Sequence, residues 1–328
     1  MLLEPERDIG FRTLSPEQRE QLMVRAAKGY YDLEMTMADL ARDLGLTRFQ
    51  VSRLLKDARE AGVVRIEIVP RTPRRPDLEA ALQRKFGLKD AVVVPNALDE
   101  AMTLDGVAEA AGRFIAGLGP QTLIGVSWGR TMAAVAHRLP PFWAHGVEVV
   151  LLNGAMNIRS SAARTNNVAE VFAQAGAGMA TLLPVPAIVG KAETRAALEQ
   201  DPTIAEVLAM GVEARTVIFG IGALETSSVL AQAGFVTERE LAALRRRGAV
   251  GDVLGRFIDA EGRIVDPVLD DRTIGLDPVA LRAKAHAIAV AAGPSKHAAV
   301  HAVLRAGFAN VLVTDESTVS FLLDASHE

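Results

Sequence analysis

TRFQVSRLLKDAR, residues 47–59, reads as a helix with two unlike faces. Thr47 is a suitable N-cap, because its hydroxyl can accept a bond from a backbone N–H that has no partner within the helix. Val51, Leu54, Leu55 and Ala58 recur at the three-and-four spacing of a single apolar stripe. The opposite side carries Phe49, Ser52, Arg53 and Lys56, with Gln50 and Asp57 at its flanks. TMADLARDLGL, residues 36–46, comes before it. There Thr36 is a second cap, Leu40, Ala41 and Leu44 form a second apolar face, and Gly45 can take the left-handed conformation that a side chain resists.

Helix, glycine turn and helix at these spacings form the pattern of a helix-turn-helix. A short polar and basic face suits a major groove: Arg53 and Gln50 would offer donors to base edges, and Phe49 would touch a thymine methyl. The expected DNA contacts are Thr47, Arg48, Phe49, Gln50, Ser52, Arg53 and Lys56. A pair of ordinary surface helices would explain the two stripes, but not the agreement of caps, turn and basic face. SPEQREQLMVRAAKGY (15–30) supplies a preceding helix, with Pro16 at its first position and Gln18 in capping-box register. VVRIEIV (63–69) alternates as a strand, either a wing beside the DNA or a connector. RTPRRP is basic and proline-rich. The expected division is therefore a DNA-binding domain over 1–70, a linker over 71–76 and a larger domain over 77–328.

The 328 residues suffice for two domains, and 49% hydrophobic content with 23% charged residues is that of a globular chain. Cysteine is absent, which removes disulfides and thiolate metal sites and fits a reducing, cytoplasmic setting. No apolar run approaches the roughly 20 residues of a membrane span, and MLLEPERDIG has no apolar core of a secretory signal. The net charge of −4 looks unsuited to nucleic acid, but it is unevenly distributed. Residues 1–76 hold 14 Lys and Arg against 12 Asp and Glu, and the acidic excess lies in the rest. A mildly basic head on an acidic body is consistent with DNA binding through one end.

Beyond residue 77 strands and helices alternate. Strands are expected at 91–94, 123–127, 147–152, 216–219, 286–291 and 310–313. Helices are expected at 77–86, 101–118, 131–138, 166–175, 238–246, 296–305 and 316–323. That alternation predicts an α/β fold, a mostly parallel sheet covered by helices on both faces.

Ligands bind such sheets beyond the carboxyl ends of the strands. The junctions GVSWGRT (125–131), NGA (153–155), GIGA (220–223) and AGPSKH (292–297) fall there as loops. GVSWGRT opens a helix whose first N–H groups, with Ser127, Gly129, Arg130 and Thr131, would cradle an anion. AGPSKH repeats the arrangement with Lys296, and two such loops with one Arg and one Lys suggest a phosphorylated ligand. GDVLGRFID (251–259) sets Asp252 between glycines, either to accept bonds from sugar hydroxyls or as a turn or helix cap.

GVSWG also fits the nucleophile elbow of serine hydrolases around Ser127, with Asp252 or Asp266 and His286, His297 or His301 downstream. That reading leaves the N-terminal module without a purpose. Of the six histidines only His297 and His301 stand four apart, without the Glu of a zinc helix, so neither metal nor cofactor is expected.

Together these segments resemble the SorC type of sugar-binding transcriptional regulators. The resemblance rests on DLARDLGLTRFQVSRLLKDAREAGVVRIEI, IGVSWGRT, NGA, GIGA, GDVLGRFID and AGPSKHAAVHAVLRAGFANVLVTDE, in that order from about residue 15 to 320. It implies a winged helix-turn-helix followed by a Rossmann-like effector and oligomerisation domain of the sugar-phosphate isomerase and deaminase type. It also implies a homotetramer that binds double-stranded operator DNA under control of a phosphorylated sugar or polyol, rather than an enzyme. On this resemblance residues 127–131 and Lys296 hold the phosphate, Asp252 holds sugar hydroxyls, and Asn153 and Asn166 line the pocket. The chain departs from many members in starting its second helix TMADLA rather than TQxxIA, and GIGALETSSVL lacks arginines that some members carry.

Overall fold

A computed structural model describes residues 15–64, 74–154 and 168–324. The chain divides into two units, Met1–Arg71 and Thr72–Glu328.

In the first unit, α1 (Pro16–Ala27) begins at a capping box between Ser15 and Gln18 and runs into one π turn, Lys28–Asp32. Thr36 caps α2 (Met37–Leu44), and Gly45 ends it at φ 66°, the left-handed conformation that glycine adopts freely. Thr47 caps α3 (Arg48–Glu60). Met23, Ala26, Leu40, Val51, Leu54, Leu55 and Ala58 form the core between the helices. Burying each large side chain contributes roughly 1.5–3 kcal/mol, which three short helices could not obtain from propensity alone. A 2.6 Å ion pair from Arg19 to Asp57 joins α1 to α3. Arg48, Ser52, Arg53 and Lys56 are exposed, and Phe49 shows 78% of its surface to solvent.

Gln50 corrects the sequence-based expectation. It is only 8% exposed, and its Oε1 accepts the Thr47 N–H at 2.8 Å in a capping box. Its carbonyl therefore closes the helix start instead of facing outward with Arg53. Removing this cap with Thr47→Ala is expected to cost about 1 kcal/mol, measured by urea unfolding of the full chain. A midpoint equal to that of the parent would show the box to be idle. The strand expected over 63–69 lies outside the described residues from position 65 onward.

The second unit starts with α4 (Pro76–Phe86), β1 (Asp90–Val94), α5 (Glu100–Ala116), β2 (Leu123–Val126) and α6 (Arg130–His137). Then follow β3 (Glu148–Leu151), α7 (Val168–Ala175), β4 (Met179–Thr181), α8 (Ala192–Glu199) and α9 (Pro202–Glu213). Next are β5 (Thr216–Ala223), α10 (Val229–Gln232), α11 (Glu238–Arg246), β6 (Gly251–Val253), β7 (Arg256–Ile258) and α12 (Pro267–Asp270). The last elements are β8 (His286–Val290), α13 (His297–Arg305), β9 (Val311–Asp315) and α14 (Glu316–Asp324).

The main sheet runs β1-β9-β8-β5-β2-β3-β4, and every neighbouring pair along it is parallel. Side chains alternate along each strand, so the sheet feeds two cores. Val92, Val94, Ile288 and Val290 pack on one face with α5, α6 and α7. Ala91, Val93, Ala287 and Ala289 pack on the other with α4, α9, α13 and α14. Buried on both faces, the strands read as near-continuous apolar runs, as parallel strands must.

Two sequence readings change. GIGA is the end of β5, not a loop. GDVLGRFID is a hairpin, with β6 antiparallel to β5 and to β7, rather than a helix cap or a solvated turn. Leu254 and Gly255 turn it at φ 53° and 84°, the pair of positive angles that a tight hairpin turn needs.

Candidate functional site

After β2 the chain moves toward β3 and β4, whereas after β5 it moves the opposite way, toward β8 and β9. β2 and β5 are neighbours, so the carboxyl ends of these two strands flank the point where the winding reverses. A crevice forms there in any open α/β sheet. In this chain Ser127, Gly129, Arg130, Thr131, Asn153, Asp252 and Lys296 all line that cleft, whose empty space is about 670 Å³ with its solvent-open mouth included. Asn166 lies outside the described residues.

One wall is rich in donors. Ser127 follows β2 directly; its Oγ accepts the Gly220 N–H at 3.1 Å and ties β2 to β5. Gly129 takes φ 133° at the start of α6, a conformation closed to most side chains, and turns the backbone into the helix. Arg130 is exposed at the cleft and forms no ion pair among the described residues. Lys296, at the end of the turn that precedes α13, donates to Thr131 Oγ1 at 2.8 Å and bridges the two loops. Burial and the nearby Arg130 guanidinium push the Lys296 ammonium down to about 8, although Asp252, Asp315 and Glu225 work against them.

Asp315 braces the Lys296 loop from behind. It is fully buried and accepts the Gly293 N–H at 2.9 Å, as well as bonds from Ser317 and Thr318. Burial alone would raise its carboxyl, but the hydroxyl of Ser317, the Gly293 N–H and the groups of Thr318 hold it below the usual carboxylate range.

The facing wall offers acceptors. Asp252 is buried on β6 opposite Gly222 of β5. A Cβ at Gly222 would fall 1.8 Å from Asp252 Oδ1, so the glycine is required for the carboxyl to lie flat on the strand. Burial raises Asp252 to about 6, with the Gly255 N–H and Lys296 pulling the other way. Asn153 is 3% exposed, and its Oδ1 has no hydrogen-bond partner among the described residues. Trp128 fixes the backbone beside it, donating from Nε1 to Gly154 O at 2.7 Å.

Trp128 and Gly222 fall within the GVSWGRT and GIGA segments read from the sequence, without having been singled out, and Ser228 was missed. Ser228 carried a legible signal, since it caps α10 after LETS. The hydrolase constellation is not assembled. No histidine lines the cleft among the described residues. His286 sits at the opposite, amino end of β8 beside Lys89, His297 stacks on Phe321, and His301 meets the Phe86 ring edge-on.

A polar cleft at the switch point of a doubly wound sheet, with cationic and acceptor walls, defines a small-molecule-binding α/β domain. The Sugar-bind family model, which describes a sugar-binding domain, matches residues 72–324. The chain is 32% identical to the deoxyribonucleoside regulator of Bacillus subtilis over 312 residues, 94% of this chain and 98% of that protein. It is 30% identical to the erythritol catabolism regulatory protein EryD of Brucella abortus over 307 residues, covering 93% and 96%. The crystal structure of the full-length sorbitol operon regulator SorC from Klebsiella pneumoniae superposes with a TM-score of 0.72 at 29% identity, over 93% of this chain and 98% of that one. The chain belongs to the SorC family of sugar-binding transcriptional regulators. No helix among the described residues is long and apolar enough to cross a membrane.

Proposed function

We propose that α2 and α3 form a helix-turn-helix that reads operator DNA, and that a phosphorylated sugar or polyol in the cleft controls it. Its targets would be genes of sugar or polyol catabolism, as the names of the deoxyribonucleoside, erythritol and sorbitol regulators suggest for those relatives. The protein would act as a cytoplasmic homotetramer, with the second unit of the sugar-phosphate isomerase and deaminase type.

The observation that carries this reading is the polarity of the cleft. Lys296, Arg130, Thr131 and the first N–H groups of α6 favour an anion. Asp252 and the Asn153 Oδ1 can only accept, which suits hydroxyl donors. Holding Asp252 ionised at pH 7 costs about 3 kcal/mol relative to water, a cost that donors from a ligand would offset. A ligand shifts the DNA-binding state only by as much as its affinities for the two states differ. The test is a thermal-shift screen of the full chain with sugar and polyol phosphates, followed by operator binding with and without each hit. Operator occupancy indifferent to every stabilising compound would refute the proposal.

The two titrations set a pH window. Asp252 accepts hydroxyls fully only above about 6, and Lys296 carries its charge fully only below about 8. Effector affinity measured by calorimetry is therefore expected to be highest between these values and to fall on both sides. Loss of the acid fall would remove Asp252 from the site, loss of the alkaline fall Lys296, and a flat profile from pH 5 to pH 9 both.

A further inference from the structure

We infer that Arg256, which does not line the cleft, is a positioning residue that sets selectivity for the hydroxyl-bearing part of the effector by holding Asn153 in place. The inference rests on the sugar-phosphate reading of the cleft.

Arg256 begins β7, on the same hairpin as Asp252, and is 3% exposed. Its guanidinium donates to three backbone carbonyls of one short segment: Leu276 O at 3.0 Å, Thr273 O at 3.3 Å and Gly275 O at 3.3 Å. Its Nε lies 2.7 Å from Asp270 Oδ1, so the buried charge is paired. The segment it gathers is the one that forms the Asn153 wall. Leu276 N–H donates to Leu152 O at 2.7 Å, Gly154 N–H donates to Ile274 O at 3.2 Å, and Asn153 bridges Gly275. The approach is close enough that a Cβ at Gly275 would meet Asn153 Cα at 2.7 Å. Arg256 thus fastens the strip carrying Asn153 to the hairpin carrying Asp252.

The two acceptors of the cleft are therefore spaced by one buried cation that touches neither. The donor wall has ties of its own, Lys296 on Thr131 and Asp315 behind the Gly293 turn, and meets the Asn153 strip through the Trp128 bond to Gly154 O. Loosening Arg256 acts first on the acceptor wall and leaves the bond from Lys296 to Thr131 and the Gly293 turn in place. Lysine keeps the charge opposite Asp270 but cannot reproduce the planar fork that spans three carbonyls.

The experiment uses Arg256→Lys in the full chain. Calorimetry compares inorganic phosphate with polyol phosphates from glycerol 3-phosphate to glucitol 6-phosphate. For the polyol phosphate that binds the parent best, the variant is expected to lose about tenfold or more in affinity, with inorganic phosphate changed less than about twofold. Amide exchange at Gly154 and Leu276 should accelerate, while exchange in the segments around 127–131 and 293–296 stays at the parental rate. A thermal melt first establishes that the variant folds. If it does not, Gly275→Ala displaces the same strip from its Asn153 neighbour while keeping the Arg256 side chain, and the same selective loss is expected. An unchanged polyol-phosphate affinity, or an equal loss for inorganic phosphate, overturns the positioning role alone. A parent that binds neither this series nor the sugar phosphates of the thermal-shift screen better than inorganic phosphate overturns the sugar-phosphate reading itself, and the selectivity role with it.

Discussion

Lys296→Met is expected to lower affinity for a phosphorylated effector about 10- to 150-fold and to leave operator binding without effector unchanged. The magnitude is that of one charge-assisted hydrogen bond, about 1.5–3 kcal/mol. Methionine suits the test because it keeps most of the stem volume and removes only the ammonium. The loop should survive the change, since its backbone is fastened through Gly293 to Asp315 and does not depend on the Lys296 side chain. The bond to Thr131 is lost, and that hydroxyl, on a buried side chain lining the cleft, is left without the lysine as a partner. Arg130 remains as a cation at the same wall, which is why a measurable residue of affinity is expected rather than none. The pH profile adds a second readout. With Lys296 gone the fall in affinity above about 8 should vanish, while the fall below about 6 from Asp252 persists. A variant with normal response to a sugar phosphate, or one that keeps the alkaline fall, would show that the phosphate is held elsewhere.

The donor half of this cleft was more legible in the sequence than the acceptor half. Ser127, Gly129, Arg130, Thr131 and Lys296 fall within short loops that follow apolar strands and open helices, a local pattern that strand-and-helix periodicity exposes. Asp252 was found as a residue, but its setting was not. A strand of three residues such as β6 has too few positions to show alternation, and its partner Gly222 had been read as loop. β4 escaped for the same reason of length. Arg256 was not singled out within GDVLGRFID. Its importance depends on a segment some 20 residues downstream that folds back onto Asn153, and no local spacing records that contact. Gln50 shows the converse. On a helical wheel it flanks the polar face, but a glutamine three residues after a threonine cap is drawn into the cap itself, and that chemistry took precedence over the wheel.

Arg53→Ala is expected to weaken operator binding by roughly 1–3 kcal/mol and to relax sequence preference at one position of each half-site. With Gln50 committed to the cap, Arg53 is the long donor left in the middle of the exposed face of α3, between Ser52 and Lys56. The side chain is exposed and enters no ion pair among the described residues, so removing it should not disturb the fold. An arginine fork can engage the two acceptors of a guanine edge at once, and a lysine or an alanine cannot replace both bonds. Lys56 is the control. Its ammonium lies 3.6 Å from Glu60, one turn along the same helix, and it is expected to reach phosphate rather than a base. Lys56→Ala should weaken all sequences alike and reduce the salt dependence by about one phosphate contact. Binding measured on an operator library at several salt concentrations separates the two effects. If Arg53→Ala weakens every sequence equally, the arginine contacts only the backbone, and Phe49, 78% exposed at the start of the same face, is left as the side chain that reads the groove.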